Sequence, residues 1–129
     1  MAKFEYNPVL QKHSKRGRTP NMDAVADSEI FLMFGDSGYI RGINNPDHDT
    51  RDLVELAKRL KKPFILFLDK SLPMSDQLFL RKLCPAGNTQ VVSFDPKPYE
   101  GMGLHQKMNA VINKAISDGV IKDPFMDSE

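Results

Sequence analysis

An aspartate follows each of three strand-like runs at once or after one residue: Asp36 after Glu29–Phe34, Asp69 after Phe64–Leu68, and Asp95 after Thr89–Phe94. Each has polar company. Gly35, Ser37, Gly38, Tyr39 and Arg41 surround the first, Lys70 and Ser71 the second, Lys97 and Tyr99 the third. Polar residues repeated at strand ends are candidates for a ligand site. Turn chemistry competes with that reading, because Asp also caps helices and satisfies backbone N–H groups in tight turns. Gly35-Asp-Ser-Gly38 lets backbone N–H groups approach a phosphate near a helix N-terminus. It is neither a Walker A loop, since no Gly-Lys-Ser/Thr follows, nor GxGxxG.

Further acids cluster downstream. His48 sits between Asp47 and Asp49, which favour its protonated form and suit it to a general acid or a phosphate contact, although solvation is the commoner fate of such a loop histidine. Asp49 and Asp52 stand at the start of a helical pattern. His13 and His105 have no partner visible in the sequence. No HExxH or carboxylate–His spacing calls for a metal, and nothing calls for a cofactor. Cys84 precedes Pro85 near a helix end, where the dipole raises a thiol pKa, so a nucleophile is not expected there.

The elements that position these residues alternate. Glu29–Phe34 is apolar at consecutive positions, as in a parallel strand covered on both faces. Gly35–His48 reads as a loop of about fourteen residues, long for a βα turn and therefore of functional interest. Asp49 then caps a helix whose Leu53, Leu56, Ala57 and Leu60 form an i, i+3, i+4, i+7 stripe, closed by Lys58, Arg59, Lys61, Lys62 and Pro63. Phe64–Leu68 is a second buried strand, Ser75–Leu83 a helix burying Leu78, Phe79 and Leu83, and Thr89–Phe94 a third strand. Met102–Ser117 is the last helix, with Leu104, Met108, Val111, Ile112 and Ala115 on one face and Gly119 just beyond its end. This order predicts an α/β domain: a small open parallel sheet of three to five strands flanked by helices. Loops at the carboxyl ends of such strands share one edge, so the three polar clusters are expected to converge on one crevice.

Size and charge narrow the classes. A chain of 129 residues makes one domain. Its 40% hydrophobic and 27% charged residues describe an ordinary globular protein, with no run near the roughly 20 apolar residues of a membrane span. Lys3, Glu5 and Asn7 occupy the place of a signal peptide's apolar region, and a single cysteine excludes an internal disulfide; together these predict a cytoplasmic protein. Net charge is only +1, yet Lys12, His13, Lys15, Arg16 and Arg18 crowd a basic N-terminal arm (1–20), and Asp123, Asp127 and Glu129 an acidic tail (120–129), around a domain at 21–119. In the arm, Phe4, Tyr6, Val9 and Leu10 mark either a short irregular strand or a segment packed on the domain, and Met22–Ala26 one helical turn. No aromatic residue interleaves with the arm's bases, so nucleic acid is not an expected partner.

Ala26-Asp27 before a strand, Ser37-Gly38 after it, then Asp52, Glu55 and Ala57 on a helix ending in Lys62-Pro63 resemble two related groups: nucleoside 2-deoxyribosyltransferase-like proteins and Toll/interleukin-1 receptor (TIR)-like domains. The resemblance covers about 45 residues, Asp27–Lys70 in the main. It implies a flavodoxin-like or Rossmann-like sheet and a nucleotide- or nucleoside-handling domain. In its catalytic form that domain is a hydrolase or transferase cleaving the N-glycosidic bond of NAD or nucleosides with a helix carboxylate. At about 100° per residue, Glu55 points roughly 160–200° from the apolar stripe. Asp52 and Asp49, in the first turn, are better aimed, though one methylene shorter than the Glu common in those groups. On this resemblance Asp52 or Asp49 acts on the ribosyl carbon. Gly35, Asp36, Ser37, Gly38, Tyr39, His48, Asp69 and Lys70 line the ligand, with Tyr39 against the base.

Two other readings stay open. TIR-like domains also serve as non-catalytic modules that self-associate or bind nucleotides, and Lys58, Arg59, Lys61 and Lys62 with the basic arm suit an acidic partner. A phosphoacceptor receiver-like domain would use Asp69 and Lys97, but it needs paired acids after the first strand, and Asp27 and Glu29 precede it.

Overall fold

A computed structural model describes residues 20–121. The basic arm with its candidate strand, and the tail beyond Ile121, lie outside the described residues. Three strands, β1 (Phe31–Gly35), β2 (Phe64–Asp69) and β3 (Thr89–Phe94), form a parallel open sheet in the order β1-β2-β3. Phe31 is in register with Phe64, and Phe64 with Thr89. Five α-helices accompany them among the described residues: α1 (Pro20–Asp27), α2 (Ser37–Asn44), α3 (Thr50–Arg59), α4 (Met74–Leu83) and α5 (Leu104–Ser117). The fold is α/β. No helix among the described residues is long and apolar enough to cross a membrane.

Side-chain alternation along β2 builds the two halves of the core. Phe64, Leu66 and Leu68 meet Met33, Val25 of α1, Ile43 of α2, Val54, Leu56 and Ala57 of α3, and Leu80 of α4. Ile65 and Phe67 point the other way, toward Phe34, Val92, Phe94 and Val111, Ile112 and Ala115 of α5. Four helices therefore share one face of the sheet, and α5 covers the other. All six β2 residues are buried, which accounts for the unbroken apolar run.

Some helix ends follow their sequence signals and others do not. Asp36 caps α2, its Oδ1 accepting from Tyr39 N at 2.9 Å. α3 closes in a Schellman turn: Lys62 N donates to Ala57 O at 3.0 Å and Lys61 N to Lys58 O at 3.0 Å, with Lys61 at φ 60°. α5 closes in the same way around Gly119 at φ 75°, with Val120 N on Ala115 O at 3.0 Å. Ile121, assigned by charge to the tail, is buried against the α5 face.

The structure corrects several boundaries. The long loop at Gly35–His48 contains α2, held down by Tyr39, Ile40 and Ile43 on one side and capped by Asp36. What remains between α2 and α3 is residues 45–49, a turn with Pro46 second and His48 N bonded to Asn45 O at 3.1 Å. The first helical turn extends over all of α1. α4 buries Leu80, and Leu78 is exposed. Leu60 is 43% exposed at the C-cap of α3, just before the turn at Lys61. α5 starts at Leu104, which is exposed at its first position.

Candidate functional site

A crevice of about 960 Å³ opens along the outer edge of β1. The strand order explains its place. β1, β2 and β3 are neighbours in sequence and in space, so among the described strands no reversal of order parts two loops over the sheet. The open space lies beside β1, whose second edge has no strand among the described residues. Phe31 N donates to Pro63 O at 2.9 Å. The alternation of a parallel ladder then turns the N–H groups of Leu32 and Phe34 to that outer edge.

The crevice has a polar end and an apolar length. At the carboxyl end of β1 lie Asp36, Ser37, Gly38 and Arg41 on the first turns of α2, with Asn45 and His48 from the turn that follows. Below them run Phe31, Leu32 and Phe34 of β1, Leu53 of α3, and Leu104 and Met108 of α5. Lys107 Nζ stands 5.9 Å from the centre of the Phe34 ring, which stacks on Phe94 at 5.0 Å.

The expected site residues divide on this geometry. Asp36, Ser37, Gly38, Tyr39 and His48 line the crevice together. Gly35 does not: a Cβ there would stand 3.0 Å from both Leu66 Cδ1 and Leu80 Cδ1, so its glycine serves the packing of β1 on the core. Tyr39 reaches the crevice but also packs into the core, and burial holds its phenol well above the usual range, with Cys84 adding to the rise. It stays a neutral hydrogen-bonding group at physiological pH.

The three Asp-bearing loops leave the same edge of the parallel sheet, but they do not share the crevice. Asp69 is buried at the end of β2, its Oδ1 accepting from Ser71 N at 2.8 Å and Ser71 Oγ at 2.6 Å. Asp95 Oδ1 accepts from Lys97 N at 3.0 Å. Both carboxylates close turns, and neither they nor Lys70 line the crevice. The reason is the order of the sheet: β2 and β3 carry their loops away from the outer side of β1, on which the crevice opens.

The helix acids take different places. Asp49 occupies the N-cap position of α3 without a side-chain bond to the helix; its Oδ2 accepts from Asn21 Nδ2 at 3.1 Å and ties α1 to α3. Asp52 is exposed beside an adjoining hollow of about 260 Å³, lined also by Ile43, Pro46 and Arg51, which has Asn45 and His48 in common with the crevice. Glu55 is exposed. Among the crevice's described lining residues, the one carboxylate is that of Asp36.

Two further groups are accounted for. Lys62 Nζ donates to Ala26 O at 3.0 Å and Ser28 O at 2.6 Å, closing the C-terminus of α1, so it is not one of a free basic row. Cys84 is half-buried against Met33 Sδ at 3.6 Å, and burial pushes its thiol up to about 11 against the lowering pull of Thr89 and Lys58. Among the described residues no three His, Cys, Asp or Glu side chains gather to hold a metal ion.

Gly42, Asn45, Thr50, Leu53, Leu104 and Met108 also line the crevice and escaped the sequence reading. Gly42 had a signal, since the α2 pattern Tyr39, Ile40, Ile43 places it on the side facing α3, where a Cβ would sit 3.0 Å from Thr50 Oγ1. Leu104 and Met108 had none, because their meeting with β1 is purely tertiary. No protein-family model, curated protein or solved structure matches this chain.

Proposed function

We propose that the polar end of the β1 crevice binds a nucleoside or nucleotide, NAD-like ligands included, in the manner of the TIR-like and deoxyribosyltransferase-like groups that the sequence resembles. One observation carries the reading: a carboxylate, a hydroxyl, a guanidinium and an imidazole (Asp36, Ser37, Arg41 and His48) share one rim beside apolar surface. Pockets for such ligands combine a few convergent polar groups with apolar lining and hold about 300–1,000 Å³. With Asp36 Oδ1 engaged by Tyr39 N, Oδ2 is left to face the ribose, and Ser37 bonds a ribose hydroxyl. Arg41 faces a phosphate, and Leu104 offers apolar surface to the base.

Catalysis in this reading is N-glycosidic cleavage by a carboxylate at the ribosyl carbon. The crevice favours Asp36 for that role over Asp49, which holds Asn21, and Asp52, which sits by the neighbouring hollow. Titration of the full chain with NAD, AMP and adenosine tests binding. Asp36→Asn keeps a good helix cap while removing the charge, so a loss of about tenfold or more in affinity with unchanged melting supports the site. Affinity unchanged in Asp36→Asn and Arg41→Ala refutes it. Base release that survives Asp36→Asn and is lost in Asp52→Asn would return the catalytic role to α3.

A further inference from the structure

Three glycines stand where β1 runs into α2, and two of them have a structural reason. A Cβ at Gly35 would press on Leu66 and Leu80 at 3.0 Å, and one at Gly42 on Thr50 Oγ1 at 3.0 Å. Gly38 has no such reason. It lies in the first turn of α2, and it is not among the glycines with positive φ. A Cβ there would meet Asp36 Oδ1 at 3.4 Å and Arg41 Nη2 at 3.6 Å, which is ordinary contact. Glycine at a helical position is less stable than alanine, because it gives up more backbone freedom on folding. The helix therefore carries a cost that neither conformation nor packing requires.

What the missing side chain leaves is space, and the space belongs to the crevice. Gly38 is exposed and lines the polar end. The point that a Cβ would fill lies between a carboxylate and a guanidinium. Among the described residues these two charges form no ion pair, Asp36 bonds through its side chain to Tyr39 N, and Arg41 has no side-chain partner.

Such a gap suits a ligand whose parts differ in charge. A bare phosphate against Gly38 would meet Arg41 favourably and Asp36 unfavourably. A sugar that carries a phosphate avoids the conflict. Its neutral ring rests on Gly38, the carbon bearing the base stands beside Asp36, and the 5′-phosphate goes to Arg41, whose planar fork can bond two oxygens at once. A carbon poised to react at a carboxylate approaches to about 3–3.5 Å. A Cβ on residue 38 would already occupy that distance from Asp36 Oδ1.

We propose that Gly38 is the floor of a sugar subsite, and that Asp36, Gly38 and Arg41 together select 5′-phosphorylated ribosides: mononucleotides and the mononucleotide halves of NAD-like ligands. This role for Gly38 rests on the nucleotide reading above and adds the orientation of the ligand and the residue that admits it.

Gly38→Ala in the full chain separates the subsite from packing. Alanine suits the helix better, so Tm is expected to rise by about 2–5 °C. AMP and adenosine are both expected to bind about tenfold or more weakly, because the methyl group takes the place of the sugar. A glycine with a merely structural role would not move stability and affinity in opposite directions. Arg41→Ala is expected to act on AMP alone: AMP binds the unmodified chain about tenfold tighter than adenosine, and the variant binds the two alike. Unchanged affinity for both ligands in Gly38→Ala overturns the subsite and leaves the nucleotide reading standing. A loss confined to AMP overturns it too, since the phosphate would then lie on Gly38. So does a Gly38→Ala chain that melts lower, which would show that the fold itself needs the glycine. Equal affinities of AMP and adenosine for the unmodified chain overturn the selection by phosphate. If neither ligand binds the unmodified chain, the nucleotide reading fails and the subsite falls with it.

Discussion

Cys84 and Tyr39 share one side of the core, and both are held neutral by burial. Unfolded, the thiol ionises near its ordinary 9.0; folded, it does so near 11. Between those values the folded chain keeps a proton that the unfolded chain has lost, so stability falls as pH rises through that window. Tyr39 adds a loss of the same sign above its ordinary 10.0. We expect Tm to drop between pH 9 and 11 and Cys84→Ala to reduce the drop; a flat Tm across that range contradicts the assignment. The same thiol is expected to react slowly with alkylating reagents at pH 7.5, since little of it is thiolate there. At this scale the sequence was partly readable. Turn chemistry was a stated competitor for Asp69 and Asp95, and both prove to close turns on Ser71 and Lys97. Lys62 was not readable, because its carbonyl partners lie 34 and 36 residues away.

Among the elements, α3 shows how a local rule can be broken and kept at once. Its Schellman turn needs a left-handed residue, and the sequence supplies Lys61 where glycine is at ease. Lys61→Gly is expected to raise stability by about 0.5–1 kcal/mol, measured by urea denaturation, as strain removed from the folded state outweighs the added freedom of the unfolded one. β2, β3 and the closing turn of α5 were legible because an apolar run, an alternating run and a glycine each act locally. α2 was not. Gly38 and Gly42 lower its propensity, and the polar stretch from Asn44 to Asp49 disguises its end as more loop. The helix exists because Tyr39, Ile40 and Ile43 pack on the core and Asp36 caps it. That single misreading is what made the candidate site look like a long loop, when it is a capped helix start beside an open strand.

For the molecule as a whole, the sequence carried the fold class but not the edge on which a ligand site would open, since that depends on strand order. The centre of the structure is β2, and Leu66 within it has no exposed surface. Leu66→Ala is expected to cost about 2–5 kcal/mol, a large part of the roughly 5–15 kcal/mol that holds such a domain together. Calorimetry should show Tm lowered by about 10–25 °C; a shift of only a few degrees would mean that the core relaxes around the cavity. The two faces of the sheet differ in when they are covered. α1 to α4 precede or interleave with the strands they protect, so each arrives as the sheet grows. The other face waits for α5, the last element among the described residues. During synthesis Phe34, Ile65, Phe67, Val92 and Phe94 therefore present one continuous sticky surface until α5 clears the ribosome. A nascent chain paused before Leu104 is the form of this protein most apt to aggregate or to recruit a chaperone.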